Sequence, residues 1–121
     1  MSLTTDATHL DAAFAALSDP TRRAVIRALL RKPLRAGELA ERVEMSPPAL
    51  TRHLRVLREA GLIVEDGVEG DARVRVYTVD LNAFSPVKDW LGQVEDLWHE
   101  QLQAFKEHAE RIQRRPRKPT S

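Results

Sequence analysis

The chain has no cysteine among its 121 residues. Disulfides, thiolate metal sites, iron–sulfur clusters and cysteine nucleophiles are excluded by that alone. It is also compatible with a reducing compartment, so a cytoplasmic location is expected. No stretch approaches the roughly 18 consecutive apolar residues of a membrane span, and no membrane partner is expected. The first ten residues have neither a basic start nor an apolar run, so they do not read as a secretory signal. There is no glycine-rich phosphate loop, no nucleophile–base spacing and no ligand triad. The four histidines, at 9, 53, 99 and 108, form no motif. An enzyme is therefore not expected, and no cofactor is called for.

What the chain does have is charge, unevenly placed. Charged residues make up 31% and apolar ones 42%, the mixture of a globular domain. A chain of this length fits one domain and buries roughly two thirds of its unfolded surface. Residues 1–19 carry three acids and no base, whereas residues 20–60 carry ten Lys or Arg against four Asp or Glu. Residues 62–80 carry two bases against five acids, residues 81–113 three against six, and residues 114–121 four bases and no acid. A basic middle between acidic flanks suits a polyanion; chance clustering on a solvated surface gives the same counts.

Periodicity organises the chain into five helices and a hairpin. Leu10, Ala13, Phe14 and Leu17 keep helical spacing over residues 7–17. Asp19 is a good N-cap before Pro20, and the second helix runs to about Arg31, ended by Lys32-Pro33. A third helix spans about 36–43, and Glu44-Met45 makes a tight turn. The fourth has the best-marked limits: Ser46 as N-cap, Pro47 at the first position and Gly61 as the left-handed stop. Leu62-Ile63-Val64, a turn over Asp66–Asp71 with Gly67 and Gly70, and Val74, Val76 and Val79 alternating with Arg73, Arg75 and Tyr77 read as a β-hairpin. Ser85-Pro86 starts a last helix to about Arg114. The expected class is mainly α with a small β-hairpin wing: a winged helix-turn-helix over residues 1–114, dimerising through its N- and C-terminal helices, followed by a disordered basic tail over residues 115–121.

The fourth helix carries the functional signal. At 100° per residue, Leu50, Leu54 and Leu57 form its apolar stripe. Pro48, Thr51, Arg52, Arg55, Arg58 and Glu59 fall on the opposite face. Thr51 and Arg52 lie early, where such helices touch bases, and an arginine can grip guanine O6 and N7 together. Arg55 and Arg58 lie later and suit phosphates, as do Arg73 and Arg75 on the wing. A solvated helix face is the bland alternative, but the exposed bases outnumber the single Glu59. His53, beside the core stripe, reads as structural. Arg22 and Arg23 sit where the helix dipole disfavours cations, and a salt bridge to Asp19 or Asp11 is the preferred explanation over phosphate.

Phe14 to Arg23, Gly37-Glu38-Leu39-Ala40, and Ser46 to Leu62 resemble the ArsR-type family of small dimeric winged-helix repressors. The resemblance runs from about Leu10 to Trp98 and is most specific in the fourth helix. It implies double-stranded DNA as a partner, with the protein itself as the other, in a homodimer whose interface comes from the first and last helices. Leu10, Phe14, Trp90, Val94, Leu97, Trp98, Leu102 and Phe105 are the expected interface residues. Soft-metal sensors of the family carry paired cysteines in the third helix, absent from Glu38-Leu39-Ala40-Glu41-Arg42. Zinc-type sensors carry carboxylate and histidine ligands on the last helix. Asp96, His99 and His108 hint at these, but the spacing differs and Arg111 stands where a fourth ligand belongs, so no metal is expected. Many relatives have a base-reading glutamine after the cap serine; here Pro47 and Pro48 also remove two N–H donors. With the acidic wing of Glu65, Asp66, Glu69 and Asp71, this leaves a winged-helix protein-interaction module without DNA binding as the alternative to a sequence-specific regulator acting on an inverted-repeat operator.

Overall fold

The computed structural model describes residues 3–68 and 70–114; the expected tail over 115–121 lies outside them. The order of elements is α1 (Leu3–Leu17), α2 (Pro20–Arg31), α3 (Ala36–Arg42), α4 (Pro47–Glu59), β1 (Ile63–Val68), β2 (Asp71–Val79), a single 3-10 turn (Leu81–Phe84) and α5 (Ser85–Arg114). The expected helices are all present. Helix α1 begins four residues before the start set by its apolar spacing, because the spacing marks only the part of a helix that carries an apolar stripe.

Two compact units divide the chain, one ending at Val87 and the other beginning at Lys88. The first holds the core. Val25, Leu34, Leu39, Leu50, Leu57, Leu62 and Ile63 are fully buried there, with Ala13 and Ala16 of α1. No buried side-chain polar atom lacks a partner among the described residues. The described residues of the second unit all belong to one helix, α5.

Two chain reversals of the same kind fix the limits of the helix-turn-helix. After α3, Met45 N–H donates to the Ala40 carbonyl (2.9 Å) and Glu44 N–H to that of Glu41 (3.3 Å). After α4, Leu62 N–H donates to Leu57 (3.0 Å) and Gly61 N–H to Arg58 (2.9 Å). Both are Schellman closures, which need a left-handed residue just past the helix. Glu44 (φ 55°) and Gly61 (φ 78°) take that role. Glycine does so without the steric cost that glutamate bears.

Strands β1 and β2 are antiparallel, pairing Ile63 with Val79, Glu65 with Tyr77 and Gly67 with Arg75. The register slips between Gly67 and Val68, where Val68 meets Asp71. The hairpin therefore differs from its expectation in two ways. Gly67 is inside β1 and not in the loop. Tyr77, expected to alternate outward with the arginines, is buried. The reason lies outside the hairpin: Leu34 pairs with Tyr77 through two main-chain bonds, of 2.8 and 3.2 Å, and draws that face of β2 onto the core.

The α1–α2 corner corrects the expected salt bridges of Arg22 and Arg23. Arg22 donates through Nε to the Ala16 carbonyl (2.5 Å) and through Nη2 to Ala15 (3.2 Å), and Arg23 through Nη1 to Leu17 (2.8 Å). These cations close the C-terminus of α1, where the last carbonyls lack partners and the dipole favours positive charge. Seen from α2 alone they look misplaced. Asp19 caps α2, accepting from Arg22 N–H at 3.0 Å, and lies 3.8 Å from His53 Nδ1, which is itself 3.3 Å from Arg22 Nη1. His53 thus joins α4 to this corner, as its structural reading required. The Arg22 main-chain N–H holds the Asp19 carboxyl below the usual carboxylate range; His53, the Thr21 N–H and the Arg22 guanidinium add to this, and partial desolvation opposes it.

Two stability tests follow. Leu57→Ala should cost about 2–5 kcal/mol in urea unfolding, from lost apolar burial and the cavity left behind. Gly61→Ala should cost about 1–2 kcal/mol, entirely from the backbone, since nothing lies within 4 Å of the added Cβ. A third test concerns acid. With its folded pKa depressed, Asp19 stabilises fully above the ordinary value of 3.8, and this contribution is lost as pH falls through the lower folded value. Asp19→Asn keeps a capping oxygen without the charge. Its melting temperature should fall less steeply than the parent's in that acid range; parallel curves would rule the assignment out.

Candidate nucleic-acid interface

Helix α4 is built to be held on one side and offered on the other. Leu50, Leu54 and Leu57 are buried, whereas Pro48, Thr51, Arg52, Arg55, Arg58 and Glu59 are exposed, the division expected from the 100° spacing. At its start, Ser46 Oγ accepts from Ala49 N–H (3.4 Å), and Leu50 N–H begins the intrahelical series on the Ser46 carbonyl (3.0 Å). Pro47 and Pro48 have no N–H. The first three positions of the helix therefore keep no open main-chain donor, and an anion there is left mainly to side chains. Thr51 Oγ1 donates back to the Pro47 carbonyl (2.9 Å).

The arginines fall into two groups. Arg52 and Arg55 have no ion-pair or hydrogen-bond partner among the described residues. Arg58, in the last turn, donates from Nη1 to Glu65 Oε2 at 2.6 Å, and Arg75 donates from Nε to Glu65 Oε1 at 3.3 Å. Glu65 is a functional neighbour that the sequence alone does not single out. The only signal was that Glu65 and Arg75 share strand parity with Tyr77, and using it requires the register of the hairpin. Burial raises the pKa of Tyr77 above the ordinary phenol value, and the Glu65 charge opposite adds to the rise. Arg73 is exposed on β2.

The expected interface residues are mostly open to solvent. In the first unit Leu10 is half-buried and Phe14 is exposed. In the second, Trp90, Val94, Leu97, Trp98, Leu102 and Phe105 are all exposed, from 43% for Trp90 to 71% for Phe105. Exposed large apolar residues grouped in this way usually mark an association surface. Among the described residues no three of His, Asp and Glu come close enough to share a metal ion, so Asp96, His99 and His108 are not brought together within one chain. No helix among them is long and apolar enough to cross a membrane.

Comparison with known proteins agrees with this architecture. Residues 19–64, from the cap of α2 into β1, match the family described as bacterial regulatory protein, arsR family. The HTH-type transcriptional regulator Rv2034 of Mycobacterium tuberculosis is 46% identical over 55 residues, covering 46% of this chain and 51% of that protein. The transcriptional repressor SdpR of Bacillus subtilis is 40% identical over 50 residues, covering 41% and 56%. The matches thus span about half the length of these curated relatives. The crystal structure of the ArsR family transcriptional regulator RHA00566 is 34% identical with a TM-score of 0.65, covering 77% of this chain and 93% of that one. With the helix-turn-helix, the hairpin and the solved relative in agreement, the chain belongs to the ArsR family of bacterial regulatory proteins.

Proposed function

We propose that the chain is a sequence-specific DNA-binding transcriptional regulator, a repressor, acting in the cytoplasm as a homodimer on an inverted-repeat operator and performing no catalysis. The observation that carries this reading is the outward face of α4, where Thr51, Arg52 and Arg55 stand exposed and the two arginines have no partner among the described residues. Isolated surface arginines on a helix locked into a core are what a major-groove reader needs. The family of the chain and the names of its regulator and repressor relatives support the same reading.

Roles follow from position. Arg52 meets base edges or an adjacent phosphate, and Thr51, whose hydroxyl is engaged by Pro47, offers its methyl group. Arg55 meets phosphate. Ser46 and Pro48 border the helix start, and Arg58, Arg73 and Arg75 extend the contact toward the wing. The exposed apolar residues of α5, with Leu10 and Phe14, pair across a two-fold axis. Half-sites then lie about one helical turn, near 10 base pairs, apart.

The test begins with fragments of the source genome selected by the purified protein. On them, Arg52→Ala should cost about 1–3 kcal/mol. Arg55→Ala should weaken all sequences alike and lower the salt slope by about one unit per lost contact. If both variants, still folded, bind like the parent at every salt concentration, α4 is not the reading head and a protein-interaction module replaces this reading. Light scattering should give a dimer at micromolar concentration; a monomer mass would remove the two-fold operator from the proposal.

A further inference from the structure

Glu65 lies between two elements that the DNA reading uses. Its Oε2 takes Arg58, in the last turn of α4, and its Oε1 takes Arg75, in β2. Each carboxylate oxygen thus serves a different guanidinium. Glu65 is itself only partly exposed and sits opposite the buried Tyr77, so the pairs are less screened than ordinary surface contacts. The hairpin register places Arg75 within reach of Glu65. Gly67 is the cross-strand partner of Arg75, and a Cβ there would stand 3.5 Å from Arg75 Nη1. The guanidinium therefore lies over the strand at the position that has no side chain. Arg52 and Arg55, on the same helix as Arg58, have no such partner among the described residues.

We infer that Glu65 is an internal stand-in for a DNA phosphate: in the free protein it occupies Arg58 and Arg75 and so sets the affinity for the DNA backbone. The inference rests on the DNA-binding reading above. Its chemistry is competitive. Carboxylate and phosphate oxygens accept from the same guanidinium fork, so a backbone phosphate reaching the junction of α4 and the wing must share or displace Glu65. Two guanidiniums and one carboxylate leave the cluster one net positive charge. Glu65→Gln leaves two, with an almost unchanged side-chain shape.

The experiment measures affinity against salt by fluorescence anisotropy, using the full chain, the selected genomic fragments and a random duplex. Glu65→Gln should bind both DNAs several-fold more tightly at low salt, with a slope steeper by about one unit per protomer. Arg75→Ala should weaken binding more in the Glu65→Gln background than in the parent, because only there is Arg75 released. Glu65→Asp draws the carboxylate back by one methylene at constant charge. It should enlarge the cost of Arg75→Ala in the same way, and it carries the test if the glutamine variant fails to fold. Parent-like or weaker binding by Glu65→Gln overturns the proposal, as does an equal cost of Arg75→Ala in all three backgrounds. If the parent binds these fragments and Arg52→Ala weakens it while the Glu65 variants track the parent, only this proposal falls. If the parent shows no salt-dependent binding, the DNA reading falls with it.

Discussion

The burial of one stripe on α4 sets everything else in the first unit. Leu50, Leu54 and Leu57 leave water completely or nearly so, and each such side chain contributes roughly 1.5–3 kcal/mol by transfer alone. That burial fixes the rotation of the helix about its axis. Because the helical period is 3.6 residues, fixing Leu50 inward fixes Thr51, Arg52 and Arg55 outward. The Ser46 cap and the Schellman closure at Gly61 fix its length to match. The exposed face is thus a consequence of the core rather than a separate design.

Three pairs of arginines in this protein are managed in three different ways. Arg22 and Arg23 neutralise the carbonyl end of α1. Arg58 and Arg75 converge on one carboxylate. Arg52 and Arg55 stay open among the described residues. The same residue type therefore serves helix capping, inter-element bracing and proposed recognition. Counting arginines in the basic middle of the chain does not separate these roles; the nearest oxygen does.

What could be read from the sequence was what local rules determine. The limits of α2 and α4 follow from Asp19-Pro20, Ser46-Pro47 and Gly61, each acting within one turn of itself. The two faces of α4 follow from a spacing that survives any tertiary arrangement. The errors at Tyr77, Gly67, Arg22, Arg23 and Glu65 all involve a partner outside the residue's own helix or strand. Tyr77 was placed outward because alternation within β2 carries no knowledge of Leu34. Gly67 falls in the expected turn because Asp66-Gly67 has turn chemistry, whereas β1 runs on through it to Val68, with Arg75 as its cross-strand partner. Arg22 and Arg23 were judged against the dipole of their own helix, when the dipole they answer to belongs to α1. Glu65 was counted as wing acidity because its partners come from two other elements.

The Leu34–Tyr77 bridge has a mechanical consequence. A hairpin joined to its domain only through Gly61 and Leu62 at one end and Asp80 at the other can swing as a flap. Here β2 is also stitched near its end, through the main chain, to Leu34, which lies two residues before α3. Pulling on the hairpin therefore loads the first helix of the helix-turn-helix directly, and the two cannot tilt independently without breaking paired backbone bonds. Stiffness of this kind ties the tilt of the hairpin to that of α3, so in the proposed complex the two would meet a duplex as one piece.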